Sequence, residues 1–451
     1  MISITPSKGA AFAMERLKRH GFEAYAVGGC VRDSLLGRAP NDWDLTTNAL
    51  PEQTASCFSD HRIIDTGMKH GTVAVLHEGE LLEITTYRLD GDYADNRHPV
   101  SVTFSKELRD DLSRRDFTVN AMAYSPEVGL VDCFGGKKDL ADGIIRCVGD
   151  PQTRFEEDGL RILRALRFAS VLDFTLDEKT ADAVHHCKHL LKNIANERIR
   201  EEFCKLLCGK RAAPILREFG DVIAEFIPEI ADSFGFDQRS KYHSYDVWEH
   251  TLRALEQTDS ADLVIRLGIL FHDVGKPTCF VEDETGGHFP RHAEAGVELC
   301  DKILRRLRFD NATRDLLLKL VKYHDVPLIP EDKHVKRAIL RYGEDGLQKL
   351  LEIQRCDRLA HAPDYSEPPA YLDEIPVIVE RIREENACLS LKTLAVKGDD
   401  LMALGYPSGK EIGAALQTLL DAVIDGDLPN EKDILIDYIK EHMKKESESN
   451  A

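Results

Sequence analysis

The chain opens with short apolar runs separated by turns. TVAVLHEG and LLEITTYR, within residues 72–88, carry the two-residue period of half-buried strands, and between Ala24 and Gly149 such runs mix with helical stretches and Gly/Pro turns. This pattern predicts an α/β or α+β head. After Asp150–Pro151 the period becomes helical: RFEEDGLRILRALRFAS and NERIREEFCKLL space apolar residues at i, i+3 and i+4. The rest of the chain reads as nearly all α. Breaks near Gly235 and in APDYSEPPA divide it, so the expected segments are 1–150, 151–235, 236–365 and 366–451.

Composition narrows the class. A chain of 451 residues exceeds one ordinary domain, and its 43% apolar and 31% charged residues describe a globular protein. No apolar run approaches the ~20 residues needed to cross a bilayer. The first residues interleave apolar and charged positions like an amphipathic helix rather than a secretory signal, so a cytoplasmic protein without a membrane segment is expected. Eleven cysteines without a CxxC pair suit reduced thiols. A formal charge of −20 excludes a protein that coats nucleic acid by charge alone. RNA contact would need local patches, for which Arg161, Arg164 and Arg167 are candidates, as is the cluster Arg305, Arg306 and Arg308.

The first chemical constellation is VGGCVRDSLLGRAPNDWDLTTNA. Residues i and i+2 of a strand share a face, so Asp42 and Asp44 would hold their carboxylates together while Trp43 faces away. Adjacent carboxylates repel unless a cation neutralises them, and Mg²⁺, bound through a few carboxylates plus substrate phosphates, is the natural counter-charge. A Gly28–Gly29 turn brings backbone N–H groups close to a triphosphate, and Arg32 adds a charge-assisted contact. Together these features suit metal-dependent nucleotidyl transfer. Glu83 is either a third carboxylate from a neighbouring strand or an exposed strand residue; alternation alone leaves both open.

GGCVRD, DWD, HGTVAV, RRDFTVNAMAY and EDGLRILRALRF occur in one order across residues 24–168. In that order they resemble class II tRNA nucleotidyltransferases (CCA-adding enzymes), the bacterial and eukaryotic branch of the polymerase-β-like superfamily. The resemblance implies an α+β fold with a polymerase-β-like head and mixed sheet, then an all-α neck and helical domains. It implies Mg²⁺ on Asp42 and Asp44, the incoming nucleotide held by Gly29, Arg32 and Arg115, and a site organised by Asp116 and Asn120. The substrates it implies are tRNA, CTP and ATP.

Choice of nucleotide has a basis in EDGLRILRALRF. Asp158, Arg161 and Arg164 recur every three residues, while Leu160, Leu163 and Leu166 follow two positions on, about 200° around a helix. A carboxylate accepts hydrogen bonds and a guanidinium only donates them, so Asp158 beside Arg161 complements an amine next to an unprotonated ring nitrogen. Cytosine and adenine present that pattern; guanine and uracil present a carbonyl beside an N–H and are mismatched. An i, i+3 surface ion pair is the plain alternative. Arg164 and Arg167 extend the nucleotide-binding set. Residues 88–104, RLDGDYADNRHPVSVTF, are polar and turn-rich, and resemble the flexible loop of full CCA-adding enzymes, although DNRHP stands where many relatives have DGRRP.

A second chemistry lies further along. His250, His272–Asp273 and Asp357 each fall in a helical stretch, and ligands from several helices converge on one metal in a bundle. The order resembles the HD superfamily of phosphohydrolases, with His292 and His324 where a second metal takes its ligands. This implies an HD-type helical domain over 236–365, with a divalent transition metal and phosphohydrolase side activity. The last segment, with Gly409–Lys410 at a helix start, resembles the tRNA-holding tail of such enzymes. The rival readings are an A-adding enzyme or poly(A) polymerase, and, in another class, an HD phosphohydrolase with a non-catalytic RNA-binding head.

Overall fold

A seven-stranded sheet organises the first part of the chain in the computed structural model, which describes residues 4–64, 67–91, 102–406 and 409–449. Its strands are β1 (Ala24–Val27), β2 (Asp44–Thr47), β3 (Arg62–Ile64), β4 (Thr72–His77), β5 (Glu80–Thr86), β6 (Met122–Ser125) and β7 (Gly129–Asp132), in the order β3-β4-β5-β2-β1-β6-β7. β2 runs parallel to β5 and the other neighbours are antiparallel, so the sheet is mixed. Alternation works as the apolar pattern requires: Leu82 and Ile84 are buried on β5 while Leu81 and Glu83, which alternate with them, are exposed.

The chain divides into two units, residues 1–231 with 305–308, and residues 232–304 with 309–451. In the first, the switch to helix comes where the sequence signals it. Asp150 accepts the Thr153 N–H at 2.9 Å and Pro151 opens helix Pro151–Glu157, the residue types that favour a helix start. Helix Leu160–Leu172 follows and buries Leu160, Leu163 and Leu166. It packs on helix Asn196–Leu207. Gly235 lies just beyond the boundary between the units, and residues 362–370 lie inside the second.

The second unit is helical apart from a short hairpin, Val281–Asp283 with Gly286–His288. Asp246 and Asp262 cap helices Val247–Glu256 and Leu263–Phe271 through Glu249 N–H and Val264 N–H, both at 2.8 Å. These helices pack with Asp332–Leu359. Residues towards the end form their own apolar cluster, with Leu394, Val396, Leu401, Leu419 and Leu435 at its centre. Among the described residues, no helix is long and apolar enough to cross a membrane. All eleven cysteines are free.

Candidate active site

Asp44 opens β2, with Asp42 just upstream; both are exposed, and Trp43 between them is only 7% exposed. The parallel register sets Glu83 of β5 directly opposite Asp44, so a third carboxylate shares the strand edge. Although the residue is exposed, the protein atoms crowded around the Asp44 carboxyl thin its hydration, and with the negative charge of Asp42 and Glu83 this raises it above the usual range, against the pull of Arg115. Three hard oxygen donors with excess negative charge fit a divalent cation such as Mg²⁺. They are not gathered: among the described residues, every group of three or more ligand atoms within 4.8 Å of one another lies in the second unit.

Gly28 ends β1 at φ 82°, a backbone conformation that favours glycine, and helix Gly29–Leu35 begins after it. A Cβ on Gly28 would stand 3.0 Å from Arg115 Nη1. Arg115 thus lies over the Gly28 turn and also lines a cavity of about 240 Å³ with Arg114, Asp116, Asp158, Arg161 and Arg164. The expected base-reading pair, Asp158 and Arg161, faces one space.

Its geometry differs from a single helix face. Asp158 sits between two helices in an extended conformation, φ −140°, and the second helix begins at Leu160. The extended backbone of Asp158 makes this junction, which the unbroken periodicity of EDGLRILRALRF conceals; Gly159 itself is helical, and a Cβ there would lie 3.2 Å from the Leu190 carbonyl. Asp158 Oδ1 accepts the Leu160 N–H at 3.0 Å, and Arg198 Nη2 is 3.5 Å from Oδ2. Arg161 Nη1 donates to Glu157 Oε2 at 2.5 Å and Nη2 to the Arg114 carbonyl at 3.1 Å. Glu157, Arg198 and Arg114 carry no signal of their own in the sequence beyond lying near the motifs.

Arg164 donates through Nε and Nη2 to Asp116 Oδ2 at 2.8 and 2.5 Å. Asp116 also accepts from Asn120 Nδ2 at 3.1 Å, and Asn120 accepts from Arg32 Nη1 at 2.6 Å. Burial alone would raise Asp116, but Arg164 and Asn120 hold it down at about 2. Arg32, 8% exposed, is further held by Asp33, and Arg167 by Glu202 at 3.0 Å. The guanidinium carbons of Arg32, Arg164 and Arg167 lie 5.1, 5.3 and 4.0 Å from the Phe168 ring centre. Arg32 and Arg167 therefore buttress the cavity rather than line it. Of the other basic cluster, Arg306 is tied bidentately to Glu229 at 2.9 and 2.5 Å.

The ends of the 88–104 stretch pair antiparallel, from Arg88↔Phe104 to Asp90↔Val102. Residues 92–101, which hold DNRHP, lie outside the described residues.

In the second unit His250, His272, Asp273 and Asp357 form one cluster, and Asp273, His292 and His324 another. All four imidazoles direct Nδ1 at a backbone carbonyl: His250 at Ala360 (3.3 Å), His272 at Ile269 (2.6 Å), His292 at Phe289 (3.0 Å) and His324 at Val321 (2.7 Å). Each carbonyl takes an Nδ1–H and leaves the Nε2 lone pair facing the cluster, the arrangement of metal-ligating histidines. Asp273 lies between the clusters, with Oδ2 3.1 Å from His272 Nε2, and Oδ1 3.6 and 3.7 Å from His292 and His324 Nε2. His272 Nε2 is buried without a hydrogen-bond partner. Burial alone would lower His272, yet Asp273 and Asp357 raise it to about 10. A site that draws positive charge so strongly, through imidazole and carboxylate donors, fits a divalent transition metal. Gly275 in HDVGKP permits the fold here, since a Cβ would lie 2.2 Å from the His292 carbonyl.

Comparison with known proteins places the whole chain. Residues 24–146 match the poly A polymerase head domain, 173–233 the "Probable RNA and SrmB- binding site of polymerase A", and 295–439 the tRNA nucleotidyltransferase domain 2. The CCA-adding enzyme of Geobacillus stearothermophilus is 34% identical over 444 residues, 97% of each chain. That of Lactobacillus helveticus is 33% identical over 432 residues, 95% of each. The chain belongs to the CCA-adding enzyme family. The crystal structure of the Bacillus stearothermophilus CCA-adding enzyme in complex with CTP superposes with a TM-score of 0.74 at 30% identity, covering 98% of each chain. The family assignment carries nucleotidyltransferase activity and dependence on a divalent metal, and the expected α+β fold with a mixed-sheet head is the one observed.

Proposed function

We propose that this chain adds C, C and A to the 3′ end of tRNA from CTP and ATP without a nucleic-acid template. The observation that carries this reading is the shared cavity of Asp158 and Arg161, with Arg115 joining it to the Gly28 turn and Asp44. The terminal hydroxyl of the tRNA gives up its proton to solvent as its oxygen attacks the α-phosphorus of the nucleotide, a P–O bond forms, and pyrophosphate leaves with the electrons of the broken α–β P–O bond. Mg²⁺ held by Asp42 and Asp44, with Glu83 beside them, would lower the hydroxyl pKa and neutralise the departing charge. The Gly28–Gly29 amides and Arg115 bind the triphosphate, while Arg32, Asp116, Asn120 and Arg167 keep Arg164 and the cavity wall in place. Asp158 accepts from the exocyclic amine of cytosine or adenine and Arg161 donates to the adjoining ring nitrogen; uracil and guanine oppose both.

Residues 1–150 serve as the catalytic head, 151–235 as the neck, 236–365 as an HD-type metal domain and 366–451 as the tRNA-holding tail, in a cytoplasmic enzyme. Purified protein given tRNA that ends before CCA should incorporate C from CTP alone, then one A once ATP is added. No C incorporation sinks full CCA addition in favour of A addition, and long A tails indicate polyadenylation.

A second reading concerns the His250, His272, Asp273 and Asp357 cluster. The four Nδ1-anchored imidazoles favour a resident transition metal there, with His292 and His324 for a second ion. Its chemistry is phosphoester hydrolysis: water oxygen bonds to phosphorus, the ester P–O bond breaks, and the alcohol leaves carrying a proton.

A further inference from the structure

Three guanidinium groups of the first unit converge on one aromatic ring. Arg32, Arg164 and Arg167 lie over Phe168, their guanidinium carbons 5.1, 5.3 and 4.0 Å from the ring centre. They come from two elements. Arg32 belongs to helix Gly29–Leu35, which starts at the glycine turn, and Arg164 and Arg167 to helix Leu160–Leu172, which also carries Phe168.

Like charges gathered this closely repel. Burial, together with the charges of Arg164 and Arg32, lowers Arg167 below the ordinary range of a guanidinium, against the pull of Glu202. Carboxylates offset only part of this. Arg32 and Arg164 each donate through Nε and Nη2 to one carboxylate, that of Asp33 and that of Asp116, so these bonds occupy guanidinium edges in the plane of the group. The flat faces are left for the ring, whose negative π face attracts cations and stacks well on a planar guanidinium. Phe168 is 8% exposed, so the contact is largely dry. Its ring is itself braced: Phe117 packs against it at 77°, with the centres 5.8 Å apart, and the Phe117 N–H donates to Asp116 Oδ1 at 2.8 Å.

We infer that Phe168 is a positioning residue for nucleotide addition: its π face holds Arg32 and Arg164 at a fixed spacing and so ties the Gly28–Gly29 turn to the wall of the base cavity. The inference rests on the reading that this turn and this cavity hold one nucleotide, and deepens it. Filling space would be within the reach of any apolar side chain of similar size. Holding cations requires the electron density of the ring.

The test changes that density and keeps the shape. In the full chain, the phenylalanine at 168 is replaced by its mono-, di- and trifluorinated analogues, in which fluorine draws electrons from the ring face with little change of size. Affinity for CTP and ATP, measured by calorimetry with Mg²⁺ present, should fall stepwise along the series and reach a loss of about fivefold in the trifluorinated protein. Phe168→Leu, which removes the π face altogether, should lose at least as much. An affinity that stays flat across the fluorinated series overturns the inference whatever Phe168→Leu does, because a ring that only fills space has the same shape throughout. Failure of the unaltered protein to bind either nucleotide would instead sink the reading beneath it.

Discussion

The head presents the exposed Asp42, Asp44 and Glu83 near one end of paired strands, and among the described residues their carboxylates do not gather into a cluster of ligand atoms. In the second unit, His250, His272 and Asp273 are all but fully buried, and backbone carbonyls fix His250, His272, His292 and His324 by Nδ1. An open set of hard oxygen donors suits Mg²⁺ that arrives with a nucleotide and leaves with pyrophosphate. A closed set of imidazoles and carboxylates suits an ion that stays, because the protein has already met the cost of orienting its ligands. On the reading proposed above, one metal site is transient and the other resident, and the two should fail independently.

The largest effect tests that independence. Asp42→Ala with Asp44→Ala should reduce C and A incorporation about a thousandfold or more, since the charge on the attacking and leaving oxygens loses its counter-ion. Metal analysis of the same variant should give the wild-type content of the second unit. Loss of both properties together would break the division into two sites. Removal of the resident ion comes next. With metal at a hundredfold excess over its dissociation constant, chelation should cost about 3 kcal/mol of stability, visible as a lower Tm. In His272→Ala with Asp273→Ala the chelator should no longer shift Tm, and C incorporation should stay within about twofold. A chelator shift of wild-type size in that variant would place the ion elsewhere.

The two sites were also unequally legible in the sequence. Asp42, Trp43 and Asp44 alternate over a strand and its approach, and the structure keeps that alternation, with Trp43 buried between two open carboxylates. The position of Glu83 was undetermined, because which strands become neighbours depends on long-range pairing that local period does not encode; the register puts it opposite Asp44. His250 and Asp357 are separated by more than a hundred residues, and their order along the chain gave their convergence only through family resemblance. The supporting Glu157 was missed, since a lone carboxylate has no periodic signature. The segment expected to read the base differs in shape from its sequence pattern: an apolar period of 3.6 runs unbroken through Asp158, while the backbone there is extended between two helices.

That junction gives the finest test of how the two sites are held. In the second unit, imidazoles lean on backbone carbonyls, which mutation of a neighbouring side chain leaves in place. In the first unit, Arg161 leans on a side chain, with Nη1 2.5 Å from Glu157 Oε2, and Glu157 also pairs with Arg154. Glu157→Gln keeps the shape but replaces a charge-assisted hydrogen bond with a neutral one of roughly half the strength. Arg161 should then sample more orientations, some of which no longer oppose the N–H face of uracil or guanine. The expected result is about a tenfold loss of discrimination for CTP over UTP in kcat/KM, with a smaller loss in kcat/KM for CTP itself. An equal fall for both nucleotides would show that Glu157 supports the cavity as a whole and not the aim of Arg161.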